Sequence, residues 1–356
     1  MPQNKNQHFV PRAHFKPFSV NKEGSAIHLY NAKADRAIPN APLKGQCARD
    51  YFYGKDLIVE KKLRDIEGTY ASVIRKLGDD PLTCGATDLR LLCEFALLQS
   101  FRTEAMFTRM QQADLSMRSA VFRNHIDKRP PGMGQEDAVR LAMELFAESI
   151  QYLDGLKSLL IINRTNVDFI TSDDPAIQTN RYHMQRLADR SFGIMNSGFV
   201  MCLPLTPRLL LMSYDPLVYT VPGKIGSTLN VERQPDTAAL NSLQFVNCAT
   251  NIYFSDWEKR SLVRNDFQAV AAHRKDPRHR LRIFIQVDSD ELGEKYRLAT
   301  EEEQKGNGPF MLQTSFPRPK PARWPTFLRF RDPVITYSNG SAAGEIRKRE
   351  WLRSPS

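Results

Sequence analysis

Five polar residues lie in segments that are otherwise rich in apolar side chains, and their types could support catalysis. They are His8, Glu67, Gln99, Arg102 and Asp173. Two carboxylates and an imidazole can bind a divalent metal, and a guanidinium group can neutralise a phosphate. If the five converge, we expect Glu67 and Asp173 to bind the metal or to handle a proton. His8 would then serve as the acid or base, and Arg102 as the phosphate anchor.

The same residues also have structural explanations. A buried ion pair of Arg102 with Asp173 or Glu67 would lock helices onto a sheet. His8 lies among phenylalanines that could dock the start of the chain, with its ring satisfying backbone groups. Asp173 ends an apolar run and could form an Asx-type turn whose exit is fixed by Pro175. The sequence leaves both interpretations open.

Motifs of several common catalytic classes are missing. The sequence has no glycine-rich phosphate loop of the P-loop or dinucleotide-binding kind, no H-E-x-x-H and no G-x-S-x-G. Its five cysteines form no C-x-x-C pair, which argues against a zinc knuckle and against a disulfide framework. We therefore expect five reduced thiols.

Three helices are predicted in the first half of the chain. Apolar residues recur at three- and four-residue steps over residues 63–77, 87–110 and 135–154. The second segment is apolar on all sides, so we expect it to be central. Glu67 lies in the first helix, and Gln99 and Arg102 lie in the second.

The second half of the chain has the pattern of a sheet. Short runs rich in Val, Ile, Leu and Phe predict strands at 159–162, 167–171, 199–203, 209–213, 217–221, 252–255 and 282–287, besides one at 26–30. Helices are predicted at 236–250 and 261–272. The strands are too closely spaced for helical crossovers, which favours antiparallel pairing. The predicted class is α+β, with an N-terminal helical half packed on a mainly antiparallel sheet.

We expect one domain over residues 1–315, mainly helical over 57–155 and mainly strand over 156–315. The remaining residues, 316–356, form a basic segment rich in proline. Between positions 318 and 353 there are nine Lys or Arg against three acids, a large part of the net charge of +10. This composition predicts a disordered tail that takes no part in the core and that could contact nucleic acid. Residues 1–22 add four further basic residues, Lys5, Arg12, Lys16 and Lys22, and no acid. The chain between them and the tail is nearly neutral, so no basic groove is implied on the folded body.

The sequence also bears on the compartment. No window approaches the roughly 20 apolar residues that a membrane-spanning helix needs, and the polar chain start lacks the apolar stretch of a secretory signal. We expect a cytoplasmic protein that does not enter a membrane.

Short motifs in a fixed order resemble a bacterial family known as domain of unknown function 4238. They are Asn6-Gln7-His8-Phe9-Val10-Pro11 followed by Phe15 and Phe18, Glu67, Gln99-Ser100-Phe101-Arg102-Thr103, Phe169-Ile170-Thr171-Ser172-Asp173-Asp174-Pro175, and Pro204-Leu205-Thr206-Pro207. The resemblance covers roughly residues 4–285. It implies a set of positions of interest and no particular reaction.

Two functions follow from these observations. The first is an enzyme acting on a phosphate-bearing substrate, a nucleotide or a nucleic acid, with a divalent metal as candidate cofactor. The alternative is a non-catalytic binding or regulatory protein whose polar cluster is structural and whose basic tail contacts an acidic partner. The alternative requires that Arg102 is satisfied by internal partners.

Overall fold

The computed structural model describes residues 5–123, 125–186, 191–274, 278–290, 293–306, 310–339 and 344–353. The α-helices are α1 (Arg12–Phe15), α2 (Ile58–Asp79), α3 (Ala86–Phe101), α4 (Glu104–Val121), α5 (Gln135–Ser149), α6 (Arg181–Arg186), α7 (Gln234–Asn247) and α8 (Arg260–Val270). The strands are β1 (Asn6–His8), β2 (Ala26–Asn31), β3 (Arg36–Pro42), β4 (Ala48–Asp50), β5 (Lys157–Asn163), β6 (Thr171–Ser172), β7 (Ile177–Thr179), β8 (Val200–Thr206), β9 (Leu209–Tyr214), β10 (Tyr219–Thr220), β11 (Thr228–Val231), β12 (Asn251–Phe254), β13 (Arg280–Asp290), β14 (Gly293–Leu298), β15 (Phe310–Ser315) and β16 (Arg329–Phe330).

A five-stranded sheet with the order β11-β5-β9-β8-β7 forms the centre of the fold. Its pairs are antiparallel except β11 with β5, which is parallel. Side chains alternate between its faces, as a pleated strand requires. Leu160 and Leu211 pack with the helices α2 and α3, whereas Leu159 and Leu210 pack with α7. The sheet is therefore covered on both sides, which explains why its strands read as continuous apolar runs.

A second, four-stranded sheet has the order β3-β2-β12-β6 and is antiparallel throughout. The α+β class predicted from the sequence is confirmed. The extent of the single domain stays a prediction. Among the described residues, no helix is both long and apolar enough to cross a membrane. All five cysteines are free and buried, as expected.

The predicted helix at 87–110 is wrong in one respect, because the chain breaks at Arg102 and Thr103. Helix α3 ends at Phe101, and α4 begins at Glu104 with Thr103 as its N-cap. The Thr103 hydroxyl accepts a hydrogen bond from the Met106 N–H at 3.3 Å, which satisfies one free donor of the new helix. The apolar pattern continues across this break, so periodicity alone does not reveal it.

Two strand predictions also need correction. The strand expected at 167–171 is reduced to Thr171–Ser172, because the Asn163 side chain donates to the Val167 carbonyl at 2.7 Å and holds a loop there. The strand expected at 217–221 is reduced to Tyr219–Thr220.

The C-terminal segment has little regular structure, as predicted, but its described part is docked on the body. Leu328 is 1% exposed within the core on one face of the central sheet, and β16 pairs with β10. Ile346 and Arg347 are also buried. The expectation that the tail takes no part in the core is therefore wrong for these residues, because apolar side chains spaced among the basic ones reach the sheet. Residues 340–343 and 354–356 of the predicted tail lie outside the described residues.

Candidate functional site

Arg102 lies at the centre of the cluster predicted from the sequence. It follows the last residue of α3 and is 0% exposed. Its Nε donates to the Tyr53 hydroxyl at 2.9 Å, and its Nη2 donates to the His8 carbonyl at 2.8 Å and to the Glu67 carboxylate at 2.7 Å. The structure thus brings His8, Glu67 and Arg102 together. It also gives Arg102 internal partners, as the structural interpretation requires.

Gln99 and His8 complete this cluster. The Gln99 amide donates to the Phe9 carbonyl at 2.8 Å. Burial, together with the positive charges of Arg12 and Arg102, lowers the pKa of His8 to about 4. His8 is therefore neutral near pH 7.

Three buried atoms of the cluster have no hydrogen-bond partner among the described residues: His8 Nε2, Gln99 Oε1 and Arg102 Nη1. Buried polar groups are usually paired, with protein or with ordered water. The cluster therefore has unused hydrogen-bonding capacity, although Arg102 itself has no surface from which to reach a ligand in solvent.

Asp173 lies apart from this cluster. Its carboxylate accepts hydrogen bonds from the backbone N–H groups of Ala249, Thr250 and Asn251 at 2.8, 2.8 and 2.9 Å. It thereby closes the turn from α7 into β12. Within the described part of the chain, no hydrogen bond or ion pair joins Asp173 to Arg102 or to the other predicted site residues. Asp173 therefore does not form the predicted Asx-type turn, because the N–H groups that it binds come from a distant segment. The local contact is made by the Ser172 hydroxyl, which accepts from the Asp174 N–H at 3.3 Å.

Sequence reasoning missed the neighbouring residue, Asp174. Its carboxylate accepts from the Thr103 hydroxyl at 3.0 Å and forms an ion pair with Arg109. The motifs that contain Arg102 and Asp173 therefore contact each other. The contact is made by the next residue of each motif, Thr103 and Asp174. The pairing of Thr103 with Asp174 depends on the helix break, which the sequence pattern did not reveal.

The described residues include no group of three or more His, Cys, Asp or Glu side chains arranged to hold a metal ion. Glu67 faces Arg102, and Asp173 faces backbone N–H groups. The two carboxylates that were predicted to share a metal are therefore engaged by different partners.

A cleft of about 1130 Å³ opens elsewhere on the molecule. Its walls are the turns after α1, the C-terminal end of α2, the end of β5 and the connection from β8 to β9. Ile74, Leu77, Ile162 and Leu209 supply buried apolar surface to it. Thr206 and Pro207, which belong to one of the family-like motifs, also line it.

Basic side chains predominate around this cleft. The lining includes Lys16, Lys22, Arg75, Arg164 and Arg208 against Asp79 and Asp168, a net charge of +3. Arg208 and Lys259 both pair with Asp168, at 3.0 and 3.1 Å. Within the described ranges, the other four basic residues have no ion-pair partner. The cleft is thus a positively charged cavity with an apolar floor.

The fold and this cleft define an α+β protein with a large cation-lined cavity. The chain belongs to a family described as "Protein of unknown function (DUF4238)", whose sequence model matches residues 6–258. This agrees with the resemblance noted from the motifs. No curated protein and no solved structure matches the chain.

Proposed function

We propose that this protein binds a phosphate-bearing ligand, a nucleotide, in the cation-lined cleft. The observation that carries the proposal is the combination in one cavity of an apolar floor with four basic side chains that have no ion-pair partner among the described residues. Ligand sites of this kind are concave and mostly apolar, with a few charged groups that fix orientation. A nucleobase would pack on the apolar floor, and the phosphates would meet the basic rim.

The proposal retains the phosphate-bearing ligand expected from the sequence and moves it away from Arg102. Arg102 is 0% exposed and already donates to three groups, so it is poorly placed to anchor a phosphate from solution. In the cleft, Asp168 is neutralised by Arg208 and Lys259. These features favour binding over turnover, and we assign no chemical step to His8, Glu67, Gln99 or Asp173.

Calorimetric titration with ATP, and with adenosine as the control without phosphate, tests the proposal. We expect ATP to bind and adenosine to bind much more weakly. The double variant Arg75→Gln/Arg164→Gln should weaken ATP binding about tenfold or more, because each charge-assisted hydrogen bond contributes about 1.5–3 kcal/mol.

The matched control is Lys62→Gln/Arg140→Gln, which removes two exposed positive charges outside the cleft. Equal affinity of both double variants for ATP would contradict a site in the cleft. Equal binding of ATP and adenosine would contradict recognition of phosphate.

A second candidate is a regulatory protein that contacts an acidic partner such as nucleic acid through its C-terminal segment. Exposed cations support it: Lys320, Arg323, Arg329 and Arg331 lie on the surface of the docked segment. Binding to a single-stranded oligonucleotide that falls with salt, and that is lost in Arg329→Gln/Arg331→Gln but kept in the cleft variant, would favour this function. A cytoplasmic location suits either function and is supported by the five free cysteines.

A further inference from the structure

Three arginines lie in the neighbourhood of Asp174. Arg109 pairs directly with the Asp174 carboxylate. Arg278 is linked to Asp174 through Asn247: its Nη1 donates to Asn247 Oδ1 at 3.4 Å, and the Asn247 amide donates to the Asp174 carbonyl at 2.7 Å. Arg318 donates to Gln178 Oε1 at 2.5 Å, and the negative charge of Asp174 opposes the lowering of its pKa. The arginines come from α4 and from the ends of β13 and β15, which pack against α4.

Among the described residues, the positive charge of this group exceeds the negative charge. Three guanidinium groups stand against the carboxylates of Asp174 and Asp173, which leaves a net charge of +1 when both are ionised, and Asp173 already accepts from backbone N–H groups. Burial, together with repulsion from Arg109 and Arg278, lowers the pKa of Arg318 to about 9. Burial likewise lowers the pKa of Arg278 to about 10. Like charges that are partly withdrawn from water repel one another, and a counter-ion relieves this cost.

Unused hydrogen-bonding atoms occur at the adjoining end of the ladder between β13 and β15. His279 Nε2, Ser315 Oγ and Arg318 Nε are buried and have no hydrogen-bond partner among the described residues. These residues share one end of the ladder between β13 and β15, where Arg280 pairs with Ser315 and the His279 ring lies 6.1 Å from the Phe316 ring. A cluster of polar atoms that can donate hydrogen bonds, beside surplus positive charge, is the arrangement that binds an oxyanion.

We propose that Arg109, Arg278 and Arg318, with His279 and Ser315, form a second anion site that binds a phosphate group. A phosphate anion would offset the surplus charge, and its oxygens would accept from guanidinium groups in the planar, bidentate manner that arginine favours. The phosphate is either free inorganic phosphate or part of a larger molecule. This site shares no residue with the cleft, so an experiment can disprove either proposal without affecting the other.

The test uses the full chain carrying Arg75→Gln/Arg164→Gln, so that phosphate binding in the cleft is weakened. Inorganic phosphate is the probe, and chloride at equal ionic strength is the control. We expect phosphate to raise the thermal midpoint and to bind in calorimetry. Arg318→Gln in this background should weaken phosphate binding about tenfold or more. Lys320→Gln, an exposed change two residues away, should leave phosphate binding unaltered.

Stability without phosphate separates this proposal from a structural role for the arginines. In phosphate-free buffer the proposed site has no counter-ion, so Arg318→Gln should relieve repulsion between the arginines. The thermal midpoint of the variant should then be equal to or higher than that of the parent protein. A lowered midpoint with unchanged phosphate affinity would overturn the proposal, as would a response to phosphate no larger than that to chloride. If Arg318→Gln does not fold, Arg278→Gln provides the same comparison. If a phosphorylated compound such as phosphoserine binds more strongly than inorganic phosphate, the natural ligand is a phosphate group carried by a larger molecule.

Discussion

Asp173 and Asp174 are neighbours in the chain, but their carboxylates have different partners. Asp173 accepts from three backbone N–H groups, and Asp174 accepts from Thr103 and pairs with Arg109. Neither arrangement exposes a carboxylate to a substrate. At the scale of single residues, this pair of acids therefore holds segments of the chain together.

The titration of Asp173 gives a stability effect with a defined sign. Burial raises its pKa from 3.8 to about 6, although the three N–H groups oppose the shift. Between these values the folded state holds a proton that the unfolded chain has lost, so this contribution to stability is present below pH 4 and is lost as the pH rises through 6.

Chemical denaturation of the wild type and of Asp173→Asn at pH 4 and pH 7 measures this effect. We expect the free energy of unfolding of the wild type, relative to the variant, to fall by about 1–3 kcal/mol between the two pH values, since one pKa unit corresponds to about 1.4 kcal/mol. Asp65→Asn, an exposed position on α2, is the control and should show no such change. A relative stability that rises with pH would contradict the assignment.

At the scale of elements, Arg102 connects four segments of the chain. It follows α3, and it contacts β1 through His8, α2 through Glu67, and the loop after β4 through Tyr53. A buried charge with several partners is costly to remove, because each partner is left unsatisfied.

Arg102→Met should therefore lower the free energy of unfolding by about 3–5 kcal/mol, the usual cost of breaking a buried ion pair. Glu67→Gln should cost less, because the Glu67 side chain is 27% exposed and a glutamine oxygen can still accept from Arg102. Lys62→Met, an exposed change on the same helix as Glu67, should stay within about 0.5 kcal/mol. A loss of less than about 1 kcal/mol for Arg102→Met would show that the contacts contribute little.

Elements with a regular apolar pattern could be predicted, and others could not. Helices α2 and α5 follow apolar residues at helical spacing. Strand β3 was missed because Pro39 and Pro42 lie within it, and proline normally argues against a strand. The sequence suggested that His8, Glu67, Gln99, Arg102 and Asp173 could converge. Arg102 contacts the His8 carbonyl and Glu67, Gln99 donates to the carbonyl of the adjacent Phe9, and Asp173 binds backbone N–H groups elsewhere.

The cleft, by contrast, could not be predicted. Its four basic residues without an ion-pair partner among the described residues are exposed and come from separate segments. Lys16 and Lys22 belong to the basic start of the chain, and Arg75 and Arg164 belong to the middle, which is nearly neutral in total. A local excess of charge forms where these segments meet. Net charge counts residues without regard to position, and the fold decides which of them become neighbours.

At the scale of the whole molecule, the C-terminal segment packs against the folded body and forms hydrogen bonds with it at several points. Leu328 fills the core beside the central sheet, and the Thr326 N–H and hydroxyl donate to Asp236 at 2.6 and 2.9 Å. Arg347 donates to the Ile194 carbonyl at 2.9 Å. These contacts make the segment part of the folded unit.

Deletion of residues 317–356 should consequently lower the thermal midpoint by several degrees. The single variant Leu328→Ala should cost about 2–5 kcal/mol, as buried leucine truncations do. Ile335→Ala is the matched control, because Ile335 is 44% exposed. Unchanged thermal midpoints for both the deletion and Leu328→Ala would show that the C-terminal segment does not stabilise the folded body.

The position of β12 in the four-stranded sheet has a consequence for the newborn chain. Strand β12 lies between β2 and β6, so the hairpin of β2 and β3 keeps one edge open until Asn251–Phe254 has been made. At about 5–20 residues per second, this takes on the order of ten seconds or more after β2 emerges. An open edge can pair with any passing strand. Protein synthesis therefore leaves a long interval in which the half-made chain is exposed to aggregation.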